Sequence, residues 1–246
     1  MEILWPPAPD SIESSPERLD VWAVRLDREH AAMQKLVATL SPAERQRADH
    51  FRLAEPRQRF VVSRAVLRRL LGKYLGLPDC DVTLEMDARG KPRLAAGQSA
   101  VDLQFNVAHS GDLALVAITV DCEVGVDVER ERSVSHAEHI ARRFFHPSEM
   151  EAVLAGLPAE RDAVFLRCWT GKEAVLKALG SGVTGSLASF SVPTDEFRGA
   201  WIDLPSTLSK SHSRCWLHAL RPCAGYMGAV ACLGDERRLR LFAFER

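Results

Sequence analysis

The chain has 246 residues, 46% of them hydrophobic, and a formal net charge of −1 with a pI near 6.7. That apolar content suffices for one large or two small packed domains. The near-neutral balance excludes a binder working by broad phosphate neutralisation, so no nucleic-acid partner is expected. Cys80, Cys122, Cys168, Cys215, Cys223 and Cys232 form no C-x-x-C pair, which predicts reduced, mostly buried thiols. The opening MEILWPPAPDSIESSPERLD lacks a basic segment followed by a long apolar run, so a cytoplasmic protein with no membrane span is expected.

Glu2 to Ser15 reads as an irregular arm rich in Pro, Ser and acids, and Val21 to Leu26 as a strand. A helix opens at Asp27 or Arg28 and runs to about Leu40. Ser41-Pro42-Ala43-Glu44 starts another, with Ser as N-cap, Pro at N1 and Glu at N3. Arg57 to Leu75 is a long helix whose Arg57, Arg59, Arg64, Arg68 and Arg69 mostly suit a solvated face. Arg89 to Pro92 turns into a strand over Val101 to His109, Ser110-Gly111-Asp112 turns again, and the almost wholly apolar Leu113 to Val120 fits a central strand. Past Val124 to Glu129, helices are expected over Ser135 to Phe145, from His146-Pro147-Ser148-Glu149, and up to Gly180. Short antiparallel strands are then expected over Ser189 to Pro193, Cys215 to Leu220, Gly228 to Leu233 and Leu239 to Phe244.

An echo divides this list. SPAE (Ser41 to Glu44) and HPSE (His146 to Glu149) start helices about 105 residues apart, in the range of a whole domain. RAVLRRLLG resembles EAVLKALG, and VWAVRLD resembles VGVDVER. The expectation is two similar α/β halves, 1–120 and 121–246, with a cleft between them.

Two stretches carry chemistry. In Val124 to Glu129 (VGVDVE) the valines alternate with Gly125, Asp127 and Glu129, so both acids share one face of a strand. In Trp169 to Lys177 (WTGKEAVLK) Glu173 and Lys177 lie one helical turn apart, roughly opposite Val164, Cys168, Val175 and Leu179. Three carboxylates and an ammonium meeting in one place suit a divalent cation that shares its oxygens with phosphates. Taken singly, each feature is also what a solvated strand edge or an ordinary surface pair displays.

Gly125-Val126-Asp127-Val128-Glu129 with Trp169-Thr170-Gly171-Lys172-Glu173-Ala174-Val175-Leu176-Lys177 resembles the 4′-phosphopantetheinyl transferases of the surfactin-synthetase-activating type. Gly90-Lys91-Pro92, Phe105-Asn106, His109-Ser110 and Arg143-Phe144-Phe145 leading to Glu149 add to the likeness, which spans roughly residues 40 to 245. The resemblance implies an α/β (α+β) pseudo-dimer of two subdomains, each an antiparallel sheet with a long helix packed on it. It also implies a monomeric enzyme that moves the phosphopantetheine arm of coenzyme A to a serine of an apo acyl, peptidyl or aryl carrier protein. It assigns Mg²⁺ to Asp127, Glu129 and Glu173, the base to Glu173 and support of the departing phosphate to Lys177. Arg59, Lys91, His109, Ser110 and Lys177 fall to coenzyme A. Lys172 is left between a structural, a carrier-facing and a ligand role. Two departures from the pattern are Glu44 and Arg47, where some members carry lysines, and Ala108, where a serine is common. A metal-dependent phosphodiesterase and a non-catalytic carrier-binding module are the alternative readings.

Overall fold

The computed structural model describes residues 1–9, 12–27, 30–87, 90–180 and 187–244. Strand β1 (Arg18–Arg25) leads into helices α1 (His30–Thr39), α2 (Pro42–Asp49) and α3 (Ala54–Leu75), then a small hairpin of β2 (Leu84–Met86) and β3 (Pro92–Leu94). Strands β4 (Leu103–Ser110), β5 (Leu113–Val120) and β6 (Val124–Arg130) follow. The chain continues through α4 (Ala137–Phe144), α5 (Pro147–Ala155) and α6 (Pro158–Ala178), and ends with β7 (Gly199–Asp203), β8 (Arg214–Leu220), β9 (Tyr226–Leu233) and β10 (Arg238–Ala243). The expected helix opening at Arg28 and the turn residue Arg89 lie outside the described residues.

Two four-stranded sheets result, ordered β10-β1-β5-β4 and β6-β9-β8-β7. The runs β1-β5-β4 and β6-β9-β8 repeat one another, and α3 packs on the first sheet as α6 does on the second. The echo in the sequence is thus a structural repeat. Both SPAE and HPSE form capping boxes: Glu44 accepts from the Ser41 backbone N–H at 2.8 Å and Glu149 from that of His146 at 2.9 Å. The halves meet along β4 and β6, where the Val126 N–H donates to buried Asn106 Oδ1 at 2.9 Å. Val21, Leu115, Val126, Val128 and Val230 fill the seam behind that contact, each 1% exposed or less. Burying each contributes roughly 1.5–3 kcal/mol, which holds the halves as one body.

Some expectations are corrected. β10 is no part of an antiparallel meander; it pairs parallel to β1, so the first sheet draws a strand from the far end of the chain. Arg240 at its centre grips buried Asp20 through Nε at 2.7 Å and Nη2 at 2.6 Å, a long-range pairing that local pattern cannot announce. Ser189 to Pro193 forms no strand, and the fourth strand of the second sheet, at the edge beside β8, is β7 instead. Arg64 and Arg68 are not on a solvated face: Glu44 holds Arg64 Nε at 3.5 Å and Arg68 Nη1 at 3.1 Å. All six cysteines are free, and five are buried. No described helix is long and apolar enough to cross a membrane.

Candidate active site

The alternation in β6 works as the sequence predicts. Val124, Val126 and Val128 turn into the seam between the halves, which leaves Asp127 and Glu129 on the side of α6. Gly125 sets how close that helix comes. A Cβ there would lie 2.1 Å from the Ala174 carbonyl oxygen and 2.3 Å from the Ala178 nitrogen, so only glycine lets the α6 backbone rest directly on the strand. The close approach brings Lys177 Nζ to 2.7 Å from Asp127 Oδ1 and 3.2 Å from the Val126 carbonyl.

Asp127 and Glu173 are 7% and 9% exposed, and burial is the first influence on both. It pushes the Asp127 carboxyl up to about 6 against the pull of Lys177, with Glu173 and Glu129 adding to the rise. Burial raises the Glu173 carboxyl as well, Lys177 opposing and Glu129 reinforcing. The three acids therefore feel one another. Asp127 Oδ2 and Glu173 Oε1 are buried with no hydrogen-bond partner, a costly state for carboxylate oxygens. Among the described residues no three His, Cys, Asp or Glu side chains converge as a ready-made metal cage, and Lys177 sits on Asp127 Oδ1. The oxygen-only donors and the two uncompensated oxygens are nonetheless of the kind a hard divalent cation takes.

Glu129 joins these acids to the other half, its Oε2 accepting from Ser110 Oγ at 2.8 Å, while Ser110 Oγ accepts from the Arg130 N–H at 3.1 Å. Ser110 ends β4 at the rim of a cavity of about 450 Å³ that α3 and β4 enclose with the chain after α2. Exposed His109 and half-buried Arg59 line it too, and Arg59 is held by Asp112 Oδ1 at 2.9 Å. Lys91 stands elsewhere. It lines a neighbouring cavity of about 450 Å³, and its Nζ donates to the Lys177 carbonyl at 3.3 Å near the C-terminus of α6. Burial lowers that ammonium below the usual lysine range.

Arg47, expected only as a departure from the family pattern, Arg64, expected on a solvated face, and Phe60, given no site role, share the first cavity. The guanidinium carbons of Arg47 and Arg64 lie 5.4 and 5.8 Å from the Phe60 ring centre, within cation–π range. The available signal was spacing: Phe60, Arg64 and Leu67 are four and three residues apart, so this arginine lies on the packed stripe of α3. Glu44, in the segment where some family members carry lysines, braces Arg64 and Arg68.

Lys172 is wholly buried and points away from the acids. Its Nζ lies 2.8 Å from Glu149 Oε2 and donates to the Leu187 and Phe190 carbonyls at 2.6 Å each. Glu149 Oε1 accepts from the Val192 N–H at 2.7 Å, so every strong partner of the pair is internal. Of the roles left open for Lys172, these contacts leave the structural one.

Residues 123–231 match the model of the 4′-phosphopantetheinyl transferase superfamily, and residues 27–121 match that described as 4′-phosphopantetheinyl transferase, N-terminal. The 4′-phosphopantetheinyl transferase HetI of Nostoc sp. is 40% identical over 180 residues, covering 73% of this chain and 76% of the relative. The 4′-phosphopantetheinyl transferase Sfp of Bacillus subtilis is 27% identical over 214 residues, 86% of this chain and 91% of the relative. The human L-aminoadipate-semialdehyde dehydrogenase-phosphopantetheinyl transferase is 29% identical over 155 residues, covering 60% and 50%. Matched in both halves, and 40% identical to a relative of which it covers three quarters, this chain belongs to the 4′-phosphopantetheinyl transferase superfamily.

Proposed function

We propose that the chain transfers the 4′-phosphopantetheine arm of coenzyme A to a serine hydroxyl of an apo acyl, peptidyl or aryl carrier protein, releasing adenosine 3′,5′-bisphosphate. The observation that carries this is the buried Asp127 and Glu173 beside half-buried Lys177, joined through Glu129 and Ser110 to the arginine-lined cavity. Membership of the superfamily supports it.

Arg59, His109 and Ser110 hold the nucleotide end of coenzyme A, and Lys91 supports it from the adjoining hairpin. Arg59 suits a phosphate because a planar guanidinium offers two parallel donors. Glu173 accepts the proton of the incoming serine, which makes the hydroxyl oxygen a competent nucleophile toward phosphorus. The phosphorus–oxygen bond to the bisphosphate then breaks, and Lys177 balances the charge left on the departing phosphate. Burial of Asp127 and Glu173 strengthens each of these interactions, because little water screens them. Asp127, Glu129 and Glu173 would hold Mg²⁺, which when bound neutralises negative charge growing on the pyrophosphate. Residues 1–120 serve mainly to grip the nucleotide and 121–246 to carry the acids, in a monomer. Free cysteines suit a reducing cytoplasm.

Mass spectrometry tests the proposal: purified protein, coenzyme A and Mg²⁺ should add one phosphopantetheine to at least one of several apo carriers. Bisphosphate released without any carrier present would favour a phosphodiesterase. Carrier bound but unmodified after prolonged incubation would favour a docking module.

A further inference from the structure

The turn between β4 and β5 is shared property of both halves. Its first residue, Ser110, is held by Glu129 and by the Arg130 N–H of β6. Its Gly111 adopts φ +55, and a Cβ there would lie 2.7 Å from the phenol oxygen of Tyr226. Its Asp112 donates its backbone N–H to that same oxygen at 3.3 Å. Tyr226 itself is the first residue of β9 in the second sheet, pairs with Arg130, and is 6% exposed. The phenol therefore underlies the turn.

Asp112 then reaches back into the first half. Its Oδ1 accepts from Arg59 Nη2 at 2.9 Å and from Nε at 3.3 Å. Arg59 has a second carboxylate within ion-pair contact, Glu55, one turn earlier on its own helix. Both acids contact the same nitrogen, Nη2, and Asp112 takes Nε as well. Glu55 sits on α3 itself, whereas Asp112 belongs to the turn that carries His109 and Ser110 at the cavity rim.

We propose that Tyr226 and Asp112 form a positioning relay by which the second half sets the aim of Arg59 into the coenzyme A cavity of the first. The proposal rests on the transferase reading given above. Tyr226 is a positioning residue, acting through Asp112 and Arg59 rather than on substrate. Tyr226→Phe keeps the packed ring and removes one acceptor, so Asp112 loses its backbone anchor and Arg59 shifts its weight to Glu55.

A double-mutant cycle on coenzyme A affinity, measured by calorimetry on the full chain without carrier, is the test. Tyr226→Phe is expected to weaken coenzyme A about fivefold, the result when the bound state alone depends on a neutral hydrogen bond of ordinary strength. In carrier modification, its KM for coenzyme A should rise by the same factor while kcat stays within about twofold, a split that general loosening of the fold does not produce. With Arg59→Met already present, Tyr226→Phe should cost nothing further. Additive losses, an unchanged Kd in Tyr226→Phe, or a fall in kcat without a change in Kd would each overturn the relay. A wild-type protein that binds coenzyme A but modifies no carrier would sink the transferase reading alone, leaving the affinity cycle interpretable. Wild-type protein that fails to bind coenzyme A would overturn both.

Discussion

Gly125→Ala is the sharpest single test of how the fold assembles the site. The new Cβ would stand 2.1 Å from the Ala174 oxygen, 2.3 Å from the Ala178 nitrogen and 2.8 Å from the Lys177 carbonyl carbon, all backbone atoms of α6. No side chain can swing aside to absorb that. Restoring an ordinary contact of 3.4 Å to Ala174 moves helix from strand by about 1.3 Å. The Lys177 to Asp127 contact of 2.7 Å would then open toward 4 Å, no longer a hydrogen bond, and Glu173 would travel with it. Overpacking of this kind costs about 1–3 kcal/mol, which in a chain of this size lowers Tm by about 2–12 °C. A displacement near 1 Å at the chemistry costs on the order of 100-fold in rate. The assay is phosphopantetheine transfer at saturating coenzyme A, corrected for folded fraction, beside a thermal melt. Gly171→Ala is the control, because its Cβ would meet only Leu217 and Val192 side chains at 3.4 Å or beyond; its rate should stay near wild type. Gly125→Ala protein that melts early yet transfers at the wild-type rate per folded molecule would refute the claim that helix-to-strand distance sets the active geometry.

Glu173→Gln should abolish transfer and leave the melting temperature equal or higher at pH 8, since it removes a base and a buried charge whose Oε1 has no partner; near-normal turnover would take Glu173 out of the mechanism. In metal-free protein, the Asp127 carboxyl is raised to about 6 when folded, so its contribution to stability is full below about pH 4 and lost as pH climbs through 6. Asp127→Asn should flatten that fall, and denaturation curves at pH 4, 5, 6 and 7 would expose an unaltered slope. Asp127→Ala should lower rate and Mg²⁺ sensitivity together, whereas an unchanged Mg²⁺ titration would remove Asp127 from the ion's ligands. Lys172→Met should destabilise the fold by about 3–5 kcal/mol, because Glu149 would remain buried without its partner. Pairing it with Glu149→Leu should recover part of the loss in urea denaturation; a double variant no more stable than Lys172→Met would contradict this account.

Faces and starts were legible in the sequence because both are local. The period of two in VGVDVE placed Asp127 and Glu129 together, and the spacing of Glu173 and Lys177 put them on one side of a helix, without reference to anything distant. Ser41 and His146 announced helix starts through residues three positions on, and the repeated SPAE and HPSE segments disclosed two related halves. What those faces meet is not local. Whether an arginine of α3 faces water or a carboxylate depends on Glu44, reached only once α2 packs across α3. Lys172 shares its motif with Glu173 yet turns to Glu149, 23 residues earlier, because burying an ammonium demands a partner wherever the fold supplies one. β10 joins the first sheet by pairing with β1 from the other end of the chain, and Tyr226 reaches the turn at Asp112 across 114 residues. Periodicity tells a residue which way to point. Only the packed chain decides what is waiting there, since hydrogen bonds and ion pairs of this range form when sheets and helices have already closed around them.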